Sequence, residues 1–141
     1  MSFPDAQSCQ MGLSELSERV IEAASEVHRI LGTGLLENVY ESALYHELTL
    51  QGISCQKQLP IPVIYKGVPV RQPLFLDLLV ENQLVVEVKA TVKDNPYFQI
   101  QLFTHLKLLN VKSGLLINFG KEFLRDGVCR IVNDPGEPLL V

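Results

Sequence analysis

Residues 75–90 read FLDLLVENQLVVEVKA, and the fold follows from how that stretch divides. Leu74–Val80 is apolar except for Asp77. Leu84–Val88 is apolar except for Glu87, and Lys89 comes next. Two such runs, separated by Glu81-Asn82-Gln83, read as adjacent strands joined by a tight turn and covered on both faces. Side chains alternate along a strand, so Glu87 and Lys89 share one face and Val88 takes the other. With the turn centred near residue 82, Asp77 lies across from Glu87. Two carboxylates and an ammonium therefore gather in an apolar hairpin, where an unpaired charge is costly. Two arrangements would meet that cost. A hard divalent cation between Asp77 and Glu87 would relieve their repulsion, leaving Lys89 to orient a water or steady a developing negative charge. Alternatively, Lys89 forms a structural salt bridge with Glu87 or Asp77.

The bulk properties narrow the classes. A chain of 141 residues with 47% hydrophobic content is expected to fold as one domain over residues 1–141, with its core at about 14–132. No apolar run reaches about 18 residues, so no membrane span is expected. The opening MSFPDAQSCQMG lacks the basic and apolar regions of a signal peptide. Cys9, Cys55 and Cys129 are odd in number and form no CxxC pair, which points to reduced thiols and a cytoplasmic setting. A net charge of −4 argues against tight, non-specific DNA binding. It leaves room for a nucleic-acid enzyme whose acids are offset by metal.

Outward from the hairpin, Leu13, Leu16, Val20, Ala24, Val27 and Leu31 recur at helical spacing, which predicts a helix from Ser14, as N-cap, to Leu31. Gly32-Thr33-Gly34 ends it. A second helix is expected over Leu36–Gln51, with Tyr40, Ala43, Leu44 and Leu48 buried and Glu37 in its first turn, where the helix dipole favours an acid. Ile53–Tyr65 reads as a strand made irregular by Pro60 and Pro62, which place it at a sheet edge or give it a bulge. Asn95 and Pro96 can open a third helix running to Leu109, on which Gln101 and His105 share a face. That face either meets solvent or points at the hairpin carboxylates. Ser113–Phe119 and Val128–Val132 complete the strands. The order α-α-β-β-β-α-β-β predicts an α/β sandwich around a mixed central sheet, with the third helix crossing over to a parallel strand.

A helix-borne acid, an Asp on one strand, E-x-K on the next and a helix with a glutamine together resemble the PD-(D/E)xK nuclease superfamily. Gly34-Leu35-Leu36-Glu37-Asn38-Val39-Tyr40 fits G-x-x-E-x-x-Y without mismatch, so the chain is similar to the small GxxExxY proteins placed in its RecB-like branch. His28-Arg29, Gln58, Asp77-Leu78-Leu79-Val80, Val85–Ala90, Gln101-Leu102, Leu106-Lys107 and Gly114–Gly120 extend the likeness over roughly residues 14–132.

The resemblance implies a restriction-endonuclease-like core. It also implies a Mg²⁺ or Mn²⁺ ion held by Asp77, Glu87 and the Val88 carbonyl, with Glu37 binding through water or a second ion. Lys89 would orient the attacking water, and Gln101 would begin the Q-x-x-x-Y signature, where His105 stands in the tyrosine place. Tyr40 and His28 are further candidates, His28 as a residue that helps place Glu37 or as a capped surface side chain. The implied activity is metal-assisted phosphodiester hydrolysis on nucleic acid, DNA more than RNA, with a homodimer as one way to cut both strands. A rival reading is an inactive nuclease-fold module that binds a protein or nucleic-acid partner. An enzyme acting on a non-nucleic phosphoester ranks below both, because the chain lacks a Gly-rich phosphate loop.

Overall fold

In the computed structural model, residues 12–134 are described; Cys9, the N-terminal lead-in through residue 11 and the tail from residue 135 lie outside the described residues. Helix α1 (Leu13–Leu31) buries Leu16, Val20, Ala23, Ala24 and Val27. That is the three-and-four spacing of an amphipathic stripe. Two details differ from expectation. The helix is capped by Gly12 rather than Ser14, because Leu13 already packs against the core and draws the first turn one residue earlier. Leu31 stays partly open because the chain turns away at Gly32, whose φ is 72°. Helix α2 (Glu37–Leu50) buries Tyr40, Leu44 and Leu48.

Strand β1 (Cys55–Ile61) lies at the sheet edge, where Pro60 costs no ladder hydrogen bond on the open side. The single strand expected through Tyr65 is instead broken at Pro62. Beyond it, β2 (Ile64–Tyr65) folds back on β3 (Val68–Pro69) as a separate small hairpin. Strands β4 (Leu74–Val80) and β5 (Leu84–Lys89) form the antiparallel hairpin, in the register Leu78 to Val86 and Val80 to Leu84. Glu81 and Asn82 both have positive φ, 52° and 57°, and the Gln83 N–H donates to the Val80 carbonyl at 3.0 Å. Consecutive left-handed residues match the right-handed twist of the flanking strands. Glu81 is an unusual residue for this place, and its carboxylate accepts the Ser54 N–H at 2.7 Å, which ties the turn to the start of β1.

Helix α3 (Tyr97–Leu109) then crosses to β6 (Ser113–Asn118), which pairs parallel with β5. Pro96 already has helical dihedrals, and the Asn95 side chain accepts the Tyr97 N–H at 3.0 Å, so Asn95 caps this helix in practice. A 3₁₀ turn (Leu124–Gly127) leads into β7 (Val128–Val132), antiparallel to β6. The sheet order is β1-β4-β5-β6-β7. Helices α1 and α2 cover Leu78, Val80, Val86, Val88, Leu115 and Ile117 on one face. On the other, Leu102 and Leu106 of α3 cover Leu79, Val85 and Leu116. Helices on both faces explain why β5 and β6 are buried almost throughout. Cys55 and Cys129 are partly buried, packed one against each cluster. No helix among the described residues is long and apolar enough to cross a membrane.

Candidate active site

The β4–β5 ladder ends at Leu78 and Val86, one step before Asp77 and Glu87. There, Asp77 Oδ2 accepts the Val88 backbone N–H at 2.8 Å. A strand residue's N–H and C=O point to the same neighbour, so the Val88 carbonyl also faces β4, beside Asp77. Burial, and then the Glu87 charge, push the Asp77 carboxyl up to about 6, against the pull of the Val88 amide and the Lys89 ammonium. The Asp77 and Glu87 carboxyls interact directly, by charge and by a hydrogen bond that a protonated Asp77 can donate.

Glu87 is buried, and His105 Nδ1 lies 3.1 Å from its Oε2. Lys89 is partly exposed, with Nζ 4.6 Å from the Phe98 ring centroid. Among the described residues it forms no ion pair, so the structural salt bridge weighed from the sequence is not the arrangement found. The chain after Lys89 is held firmly. The Phe119 N–H donates to the Lys89 carbonyl at 2.7 Å, and the Asn118 side chain bonds both the N–H and the C=O of Thr91.

Glu37 stands at the exposed start of α2 and still senses the strand charges. Desolvation raises its pKa first; Lys89 opposes that, while Asp77 and Glu41 add to it. Tyr40 explains the last letter of G-x-x-E-x-x-Y. Its hydroxyl donates to the Gly32 carbonyl at 2.5 Å and accepts the Leu35 N–H at 3.2 Å, and its ring stacks on Phe119 at 4.7 Å. Tyr40 therefore fixes the loop that presents Glu37. Gln101 is partly buried, one turn before His105, and makes no side-chain hydrogen bond among the described residues. His28 does not act on Glu37 through its hydrogen bond: Nε2 meets the Lys121 carbonyl at 2.9 Å and so ties α1 to the loop after β6.

Two neighbours of the site went unassigned in the sequence. Glu41 lies one turn after Glu37, is buried, and accepts Gln58 Nε2 at 2.9 Å. Desolvation raises its pKa, with the Gln58 hydrogen bond opposing and Asp77 adding. Gln58 falls across from Asp77 in the β1–β4 register, but that pair is not bridged, because Gln58 has φ of 56°. The i, i+4 spacing of Glu37 and Glu41 was visible; the backbone of Gln58 was not.

A model of the PD-(D/E)XK nuclease superfamily matches residues 14–131. The chain belongs to that superfamily. No curated protein and no solved structure gives a match. The five-stranded mixed sheet flanked by helices is accordingly the restriction-endonuclease-like core of PD-(D/E)XK proteins. Superfamily members generally use divalent metals. Among the described residues, no three His, Cys, Asp or Glu side chains gather closely enough to hold a metal by themselves. Mg²⁺ keeps several waters and is bound through one or two carboxylates, so two acids are enough to hold it. A facing pair of acids, Glu87 buried and Asp77 partly so, in which desolvation first and mutual repulsion second push Asp77 up to about 6, is chemically suited to such an ion.

Proposed function

We propose that this chain is a nuclease hydrolysing phosphodiester bonds in nucleic acid, DNA in preference to RNA, at the Asp77–Glu87–Lys89 site with Mg²⁺ or Mn²⁺. The observation that carries the reading is the pair of carboxyls facing each other across β4 and β5 beside an ammonium that no carboxylate claims. Asp77, Glu87 and the Val88 carbonyl would hold the ion, with Glu37 reaching it through water. The bound ion would offset phosphate charge and make an attacking water more acidic.

The remaining work falls to side chains. Lys89, resting on the Phe98 ring, has its donors free for the attacking water or a phosphate oxygen. His105 holds Glu87 in place from the α3 side. Glu37, its pKa raised by desolvation, is suited to exchanging a proton at the entrance. Gln101, one turn before His105 on α3, would contact substrate. We further assign the chain to the GxxExxY group, on the match at residues 34–40, and to the cytoplasm, with a dimer as the form that cuts both strands.

The test is Lys89→Ala, purified and given Mg²⁺ or Mn²⁺. Wild type should cut DNA and the variant should leave it intact; equal activity in the two would refute the role of Lys89. Wild type that cuts neither DNA nor RNA with either ion would favour the rival binding module. Exposed Leu35, Leu36 and Val39 beside Glu37 would then be its first candidate surface.

A further inference from the structure

We infer that the β2–β3 hairpin is a nucleic-acid-binding arm, which grips the substrate beside the cleavage site. The inference rests on the nuclease reading and extends it to a second surface. Sequence composition isolates this segment. The chain carries 16 Asp and Glu against 12 Lys and Arg, yet none of the acids falls between Glu47 and Asp77. That interval holds Lys57, Lys66 and Arg71. Among the described residues, neither Lys66 nor Arg71 has an acidic partner: Lys66 Nζ lies 5.5 Å from the Tyr65 ring centroid, and Arg71 Nε donates to the Gln72 carbonyl. Cations left unpaired in an acidic protein suit a polyanion, because phosphate contacts release counterions.

The hairpin's shape supports the same occupant. Lys66 and Gly67 have φ of 50° and 82°, which makes a tight tip. Ile64, Tyr65, Val68 and Val70 are each more than half exposed. A two-stranded ribbon that buries none of these is marginal on its own. Tyr65 offers a ring for a base to stack on, and the aliphatic side chains can line a groove.

Position links the ribbon to the chemistry. The ribbon leaves the sheet between the end of β1 and the start of β4, the same end that carries Asp77, Glu87 and Lys89. Phe75, 55% exposed, stands two residues before Asp77 on β4. At about 3.3 Å per residue it is roughly 7 Å along the strand from Asp77. A strand lying over Phe75 and the ribbon would place a phosphate at the carboxylates.

The experiment uses the full chain carrying Asp77→Asn, to prevent cleavage, with fluorescein-labelled DNA, single-stranded and duplex, in calcium over a salt series. Lys66→Ala/Arg71→Ala should weaken duplex binding about tenfold at ~0.1 M salt and lower the log–log salt slope by about 2. Tyr65→Ala should weaken the single strand more than the duplex. Lys112→Ala, at the opposite end of the sheet, serves as the control and should keep the wild-type slope. In the cleaving enzyme, the double variant should raise KM about tenfold, in line with the lost phosphate contacts, while keeping kcat. Since these side chains are exposed, far-UV spectra and melting temperature report whether folding is kept. Wild-type cleavage with unchanged KM and slope in the hairpin variants overturns the arm and leaves the nuclease reading standing. No DNA or RNA binding by the parent chain overturns both. A hairpin variant that instead converts a dimer to a monomer by sedimentation shows a self-association surface and overturns the arm.

Discussion

His105 Nδ1 and Glu87 Oε2 meet at 3.1 Å inside the molecule, both side chains almost fully enclosed. This contact joins α3 to β5 and, on the proposed nuclease reading, leaves the other Glu87 oxygen for the ion. His105→Phe keeps the ring volume and removes the nitrogen. The expected result is a 10- to 100-fold loss of cleavage, the usual cost of removing a group that orients a ligand. His105→Gln, which restores a donor, should recover part of it. Cleavage assays on the three proteins at saturating Mn²⁺ decide the matter, and wild-type rates in the Phe variant would remove His105 from the site.

Asp77 predicts an unusual pH response. Its carboxyl sits at about 6, above the ordinary value of 3.8, so the folded chain holds that proton more tightly than the unfolded chain does. The resulting stabilisation is complete below pH 3.8 and drains away as pH rises through 6. Asp77→Asn keeps an acceptor for the Val88 N–H and removes the charge. Without metal at pH 8 it should be more stable than wild type by on the order of 2 kcal/mol, and Mn²⁺ should raise the melting temperature of wild type alone. Calorimetry at pH 4 and pH 8 with and without the ion measures both; a variant no more stable than wild type at pH 8 contradicts the charge pairing.

Tyr40→Phe separates structure from chemistry in G-x-x-E-x-x-Y. The stack on Phe119 survives, and two hydrogen bonds to the Gly32–Leu35 loop are lost. A cost of about 1–2 kcal/mol is expected from denaturant melts. Cleavage should fall too, because the loop places Glu37. A stable variant with unchanged stability and rate would show that the hydroxyl holds nothing.

Gln58 gives a sharper test of backbone strain. A left-handed non-glycine residue costs about 1–2 kcal/mol, and the Glu41 bond offsets some of it. Gln58→Ala should be less stable than Gln58→Gly by about 1 kcal/mol. Equal stability would mean that the residue does not hold a positive φ in solution.

The hairpin, the crossover helix and the buried strands were legible because their information is periodic. Alternation put Glu87 and Lys89 on one face, and a turn at residue 82 set Asp77 across from Glu87. The strand around Ile53–Tyr65 was read too long because two prolines signal an edge and a break alike, and only packing separates Pro60 from Pro62. Gln58 stayed hidden because nothing in a glutamine announces a left-handed backbone. Glu41 stayed hidden because a buried acid on a helix looks like a solvated one until its cover is known. The two readings of His28 stayed open because its partner is a main-chain carbonyl 93 residues away.

The turn at Glu81 and Asn82 has a consequence for how this chain can evolve. Asp77 and Glu87 are each five residues from Asn82, so their meeting depends on the number of residues between them rather than on their identity. A single inserted or deleted codon at the tip would slide β5 by one position and carry Glu87 and Lys89 to the side lined by Leu44 and Val20. Exchange of letters at the tip is thus a small perturbation, while a change of length there is lethal to the centre. Homologous lineages should accordingly vary this loop in spelling and keep its count.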